Sequence, residues 1–275
     1  MAEQAAQQKT NTGAAGHAEE VPILRRPGPI RRFVDFVGES TILAWQAFTS
    51  ILHGGFEMRD LINQMAAIGV DSVGIVLIIT GATGAVFAFY IATLTKQFGG
   101  FNQFLGGTIG YSFLNELGPT LGGVGLAARS GAAIAAEIGS MVVTEQVDAL
   151  RAMAVSPVRY LVVPRMLAAI IMLPLLTALA DIAGLFGSYL FALGAGVSGE
   201  EFWNSVHTYT KVSDLLHGLA KSVVFGFLIG LIACQQGLRT KGGATGVGRA
   251  TTNSVVLCVI LIFITDFFLA QILTK

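Results

Sequence analysis

The stretch SVGIVLIITGATGAVFAFYIATLT, residues 72–95, contains no charged side chain. It is long enough to cross the hydrocarbon core of a bilayer, which takes about 20 apolar residues. Four more apolar runs follow it. Residues 106–141 are interrupted by Glu116, Arg129 and Glu137, and residues 166–196 hold Pro174 and Asp181. Residues 215–238 and 250–273 complete the set, the last with Asp266. The pattern predicts an all-α integral membrane protein with five transmembrane helices. Composition agrees: of 275 residues 53% are hydrophobic and only 12% charged, about half the charge of an average soluble domain. The 34 glycines suit helices packed closely in lipid. A net charge of zero gives no global attraction to nucleic acid.

Upstream of the first span, Arg25, Arg26, Arg31 and Arg32 precede apolar residues at mixed three-to-four spacing, with Trp45 among them. This predicts an N-terminal amphipathic helix lying in the membrane interface. Residues 1–20 are polar, with no apolar core of a signal peptide. The chain therefore divides into a disordered cytoplasmic tail (1–24), an interfacial helical region (25–63) and a transmembrane domain (64–275). Five spans put the termini on opposite sides. With the N-terminus inside, the inner segments hold Lys9, Arg25, Arg26, Arg31, Arg32, Arg59, Arg151, Arg159, Arg165, Arg239, Lys241 and Arg249. The outer segments hold only Lys96, Lys211, Lys221 and Lys275, so the bias of basic residues places the N-terminus in the cytoplasm and the C-terminus outside.

The intramembrane charges Glu116, Arg129, Glu137, Asp181 and Asp266 each cost roughly 2.5 kcal/mol or more at the bilayer centre. They must face protein, water or one another. On an ideal helix Glu116 lies roughly 30 Å from Glu137, toward the outer side, and Arg129 about 12 Å from Glu137, too far for a direct pair. A polar path, a headgroup contact and structural ion pairs all remain open. Gly118 and Gly122 form a GxxxG pair, and Ala127, Gly131, Ala135 and Gly139 continue the four-residue spacing, which lets another helix approach closely. An intramolecular seam and a dimer seam both fit. Residues 144–153, TEQVDALRAM, read as a short amphipathic helix between two spans. Thr144 is placed to cap it and Glu145 to complement its dipole, with Val147, Leu150 and Ala154 on one face and Glu145, Gln146 and Asp148 left for a partner's groove.

Negative findings narrow the function. GATGVGRAT, residues 243–251, has Arg249 where a phosphate-binding loop needs lysine, and it joins two spans instead of a strand and a helix. No Walker motif occurs, the four histidines are scattered, and Cys234 and Cys258 sit in apolar runs as small hydrophobes. No nucleophilic triad or metal site is expected.

The motifs NELGP (115–119), ARSGA (128–132), AEIGSM (136–141), TEQVDAL (144–150), Pro164-Arg165 and GVGRATT (246–252), with the late Asp266, resemble the MlaE/YrbE permease family. The resemblance runs from about Arg31 to Leu273. It implies an ABC transporter permease in the inner (plasma) membrane that forms a homodimer, binds two copies of a cytoplasmic ATPase and works with MCE-domain proteins on the outer side. Such permeases move phospholipids or related lipids. ATP and Mg would be bound by the partner ATPase and no cofactor by this chain. Thr144, Glu145, Gln146, Val147, Asp148, Ala149, Leu150 and Arg151 would form the coupling helix, and Tyr90, Asn115 and Glu116 would line the lipid pocket. The sequence departs from the family's usual pattern at Asn115, where arginine is common, and at Tyr90, where glutamine is common. Two other readings compete: an ion-coupled transporter using the intramembrane carboxylates, which is expected to show internal repeats that are not found here, and a membrane scaffold without transport.

Overall fold

A computed structural model describes residues 29–52, 57–97 and 104–273. The tail 1–24, the arginines at 25 and 26 and most of the loop after residue 97 lie outside the described residues. The chain divides into two compact units, Met1–Gly38 and Glu39–Lys275. All secondary structure among the described residues is helical.

Helix α1 (Pro29–Leu52) is amphipathic. Within the larger unit it exposes Ile42, Trp45, Phe48 and Leu52 and buries Leu43 and Ala47. Ser40 Oγ donates to Gln235 Oε1 at 2.8 Å, and Glu39 pairs with Arg239 at 3.1 Å. Helix α2 (Met58–Ile68) leads through a tight 3-10 turn at Val70–Ser72 into α3 (Val73–Gln97). Helix α3 thus begins within a residue of the apolar run 72–95, and the boundary drawn at residue 64 falls inside α2.

The second span is one rod, Leu105–Val143, built from α4 (Leu105–Ser112), α5 (Gly118–Leu126) and α6 (Ala132–Val143). Two π-helical turns, Phe113–Leu117 and Ala127–Gly131, join these pieces. A short helix α7 (Gln146–Ala152) follows. A third π-helical turn, Val158–Val162, opens the third span, α8 (Val163–Gly194). Proline explains two of the three π turns. Pro119 and Pro164 lack an N–H, and their rings exclude the usual carbonyl four residues back. The residue before each proline donates instead five residues back, Gly118 to Phe113 O and Val163 to Val158 O. That adds one residue to the turn.

On the side of the membrane opposite α7, α9 (Gly199–Tyr209) is capped by Ser198, whose hydroxyl accepts from Glu201 N at 3.1 Å. Phe202 buries itself among Leu105, Ile109, Phe113 and Ala192. The fourth and fifth spans are α10 (Val212–Leu238) and α11 (Gly243–Leu273). Five helices among the described residues are thus long and apolar enough to cross a membrane, as the hydropathy pattern requires. The helical start of α11 at Gly243 removes any strand-loop-helix phosphate cradle from that segment.

Backbones touch where glycines permit it. A methyl group at Gly84 would collide with Gly184 O, and one at Gly187 with Gly81 O, so α3 and α8 approach main chain to main chain, as small residues allow in lipid. Gly84→Val should lower the stability of the purified protein by about 1–3 kcal/mol through overpacking, read as a reduced midpoint of thermal unfolding in detergent. Gly74→Val on the same helix, where an added methyl meets nothing within 4 Å, should leave the midpoint in place.

Candidate functional site

The apolar spans carry charges that must be neutralised internally, and the structure shows how. Lys221 of α10 is 2% exposed. Its Nζ lies 2.6 Å from Glu116 Oε2 and 3.0 Å from Asp266 Oδ1. Thr120 Oγ1 donates to Asp266 Oδ2 at 3.4 Å. One ammonium thus links the second, fourth and fifth spans. With both carboxylates ionised the cluster carries one excess negative charge. Asp266 is largely enclosed, while the Glu116 side chain is 40% exposed and forms the accessible edge of the cluster. Glu116 owes this position to the first π turn, and such turns within α-helices frequently mark functional sites.

Lys221 is not the outer-segment residue that the distribution of basic side chains suggests: it lies inside the fourth span, and it is the central cation of the cluster. The signal was available, since it is a lysine near the start of an otherwise apolar run, where only a buried counter-charge makes it tolerable.

Of the other intramembrane groups, Arg129 stands in the second π turn. Its guanidinium pairs with Asp71 at 3.2 Å and donates to Ala67 O at 3.0 Å and Ser72 Oγ at 3.3 Å. The adjacent Ser130 Oγ donates to Ile68 O at 3.0 Å. Together they fasten the second span to the 3-10 turn between α2 and α3, a structural role. Glu137 pairs with the buried Arg165 at 2.8 Å, and Arg165 also donates to Leu161 O at 2.9 Å. This pair joins the two spans that flank α7. A polar cavity of about 250 Å³ lies beside it, lined by Asp60, Asn63, Gln64 and Tyr160 among others. The partners Asp71 and Arg165 were not singled out by hydropathy, because each stands at the edge of an apolar run. Asp181 is buried and has no hydrogen-bond partner among the described residues.

The three pocket candidates differ in placement. Glu116 is accessible, as described. Tyr90 is 62% exposed and packs edge-on against Phe89, ring centroids 5.5 Å apart. Asn115 turns inward and donates to Tyr111 O at 3.2 Å.

The segment from Thr144 to Arg151 differs in one respect from expectation. Thr144 does not cap the following helix: its hydroxyl donates back to Ser140 O at 2.9 Å and accepts from Gln146 Nε2 at 3.0 Å, closing α6. Glu145 takes the capping position with no side-chain cap bond and a left-handed backbone, φ 59°. The helix proper begins at Gln146. Ala154 beyond its end is also left-handed, φ 60°. Non-glycine residues in this region cost on the order of 1–3 kcal/mol each and cluster at switches and clamps. Val147 is buried, Leu150 is half-buried, and Glu145, Gln146, Asp148, Ala149 and Arg151 face outward. Asp148 and Arg151 pair at 2.7 Å.

Five helices long and apolar enough to cross a membrane, with charges paired between them, define a multi-pass membrane protein. The chain belongs to the permease MlaE family, whose model matches residues 61–272. It is 42% identical over 236 residues to a probable ABC transporter permease protein of Synechocystis, covering 84% of this chain and 88% of that one. It is 38% identical over 245 residues to a probable ABC transporter permease protein of Rickettsia typhi, covering 89% and 94%. It is also 36% identical over 232 residues to the Arabidopsis chloroplastic protein trigalactosyldiacylglycerol 1, covering 84% of this chain and 66% of that protein. The chain is thus the permease subunit of an ABC transporter, and ATP hydrolysis belongs to a separate subunit.

Removing the central cation tests the cluster. Lys221→Met leaves Glu116 and Asp266 without their counter-charge and should cost about 3 kcal/mol, the low end for breaking a buried pair because Glu116 reaches the surface. The triple variant Lys221→Met, Glu116→Gln, Asp266→Asn should recover most of that loss. Thermal unfolding of both variants in detergent measures the difference.

Proposed function

We propose that this permease moves phospholipid or a related lipid between membranes, driven by two copies of a cytoplasmic ATPase and working with an MCE-domain protein on the outer side. The observation that carries the reading is the Glu116–Lys221–Asp266 cluster. It puts an accessible carboxylate, backed by a buried ammonium, among apolar spans. A molecule that meets apolar walls and one polar edge together is an amphiphile. Tyr90 and Glu116 are the exposed members of the proposed pocket, and Asn115 supports the turn behind them. The Arabidopsis relative carries the name of a glycolipid, which is consistent with a lipid substrate.

The proposed working unit is a homodimer. The fifth span is the least covered within the chain and exposes Val256, Ile260, Phe263, Phe267 and Phe268, a face suited to lipid or to a second copy. With the N-terminus cytoplasmic, in an inner (plasma) membrane, helix α7 faces the ATPase. Its buried Val147 anchors it, and its acidic outer face is left for docking. The Glu137–Arg165 pair joins the spans on either side, so displacement of α7 is passed to spans two and three. ATP and Mg act in the partner subunit.

Two experiments test this. Full complex reconstituted in proteoliposomes with fluorescent phospholipid should move lipid only with ATP and ATPase present, and no ATP-dependent lipid movement would defeat the reading. Glu145→Lys together with Asp148→Lys should reduce co-purified ATPase at least tenfold while the thermal midpoint of the membrane domain holds. Unchanged co-purification and transport would remove α7 from the coupling role.

A further inference from the structure

Asp181 lies well inside the third span and is 3% exposed, yet neither of its carboxylate oxygens has a hydrogen-bond partner. No ion pair among the described residues reaches it. One turn earlier, the Thr177 hydroxyl is buried and unpartnered as well. Residues four apart on a helix share a face, so these oxygens belong to one ridge. The opposing ridge is glycine. A methyl at Gly118 would collide with Asp181 Oδ1, and one at Gly122 would touch Thr177 Oγ1 at 3.5 Å. The GxxxG pair of the second span thus receives a Thr-x-x-x-Asp pair from the third within one chain. The seam is lined on one side by hard oxygen donors and on the other by bare backbone.

An ionised carboxylate without counter-charge in such a place is strongly disfavoured. Among the described residues, the ionisable groups of the neighbouring spans do not supply that charge. Lys221 is held by Glu116 and Asp266, Arg129 by Asp71, and Glu137 by Arg165. Asp214 accepts from Lys211 N at 2.8 Å, and Tyr90 and His217 form no ion pair with Asp181. The positive charge must therefore come from a small mobile species that fits between two closely packed helices.

We infer that Asp181, with Thr177 beside it, is a binding site for a small monovalent cation, a proton or a sodium ion, sealed between the second and third spans against Gly118 and Gly122. The cation neutralises the carboxylate while the seam is closed. Parting of the two spans admits water, which solvates the carboxylate and releases the cation. The permease then exchanges a cation with the medium once per opening, whichever lipid it carries.

Infrared spectroscopy of the full chain in lipid nanodiscs, carrying carbon-13 aspartate, tests this directly. The signal of Asp181 is the difference between the native protein and Asp181→Asn. Should that variant fail to assemble, Asp181→Glu serves, since it removes the isotope label at this position and keeps the acid. A protonated-acid carbonyl band at neutral pH, shifted in heavy water, establishes a bound proton. A carboxylate band that shifts when sodium replaces choline in the buffer establishes a sodium ion. A carboxylate band unaffected by sodium shows an ionised Asp181 that holds no cation, and overturns the inference. Neither result depends on lipid transport, so failure here is separable from failure of the lipid reading.

Discussion

A charge inside an apolar bundle must be answered by another charge, and this requirement organises the protein. The Lys221 ammonium is enclosed by three spans that are far apart in sequence, and it holds Glu116 and Asp266 at ion-pair distance. Placing it elsewhere would strand two carboxylates in a low-dielectric interior, at a cost of several kcal/mol. The same rule operates at the other two sites. Arg129 fixes the second span to the turn between α2 and α3, and Arg165 fixes the third span to Glu137. Each pair crosses between elements, so each specifies which helices are neighbours, a matter on which uniform apolar surfaces are silent.

Backbone irregularities bring these groups into position. Two prolines explain two of the π turns, and the turns shift the register of the rods they interrupt. Glu116 stands in the first such turn, and Arg129 stands in another. Glycines then let the rods close upon one another, Gly84 on Gly184 and Gly187 on Gly81. The left-handed residues Glu145 and Ala154 bracket α7. Strain stored at both ends of a short exposed helix suits an element that is set by its partner as well as by its own propensity.

The sequence made some of this legible and not the rest, for physical reasons. Hydropathy located all five spans, because the length of an apolar run is a local property. It also found the charges that interrupt those runs, Glu116, Arg129, Glu137, Asp181 and Asp266. It missed their partners. Lys221 falls in the first half of its span, close enough to the outer loop to read as part of it, and Asp71 and Arg165 stand at the edges of their own apolar runs. Pairing is long-range and leaves no periodicity. The start of α7 was placed at Thr144 because threonine favours helix caps, but the hydroxyl is spent on closing the preceding helix. The GxxxG motif left an intramolecular seam and a dimer seam open, and here it is filled by Thr177 and Asp181 of the same chain.

The central claim is that this chain supplies the membrane path and borrows its energy. Affinity purification of the tagged full chain in mild detergent, followed by mass spectrometry of both protein and lipid, tests it most directly. The account predicts a stoichiometric ABC ATPase, an MCE-domain protein and a bound phospholipid or related lipid. A chain recovered alone in several detergents, with no ATPase and no enriched lipid, would contradict it.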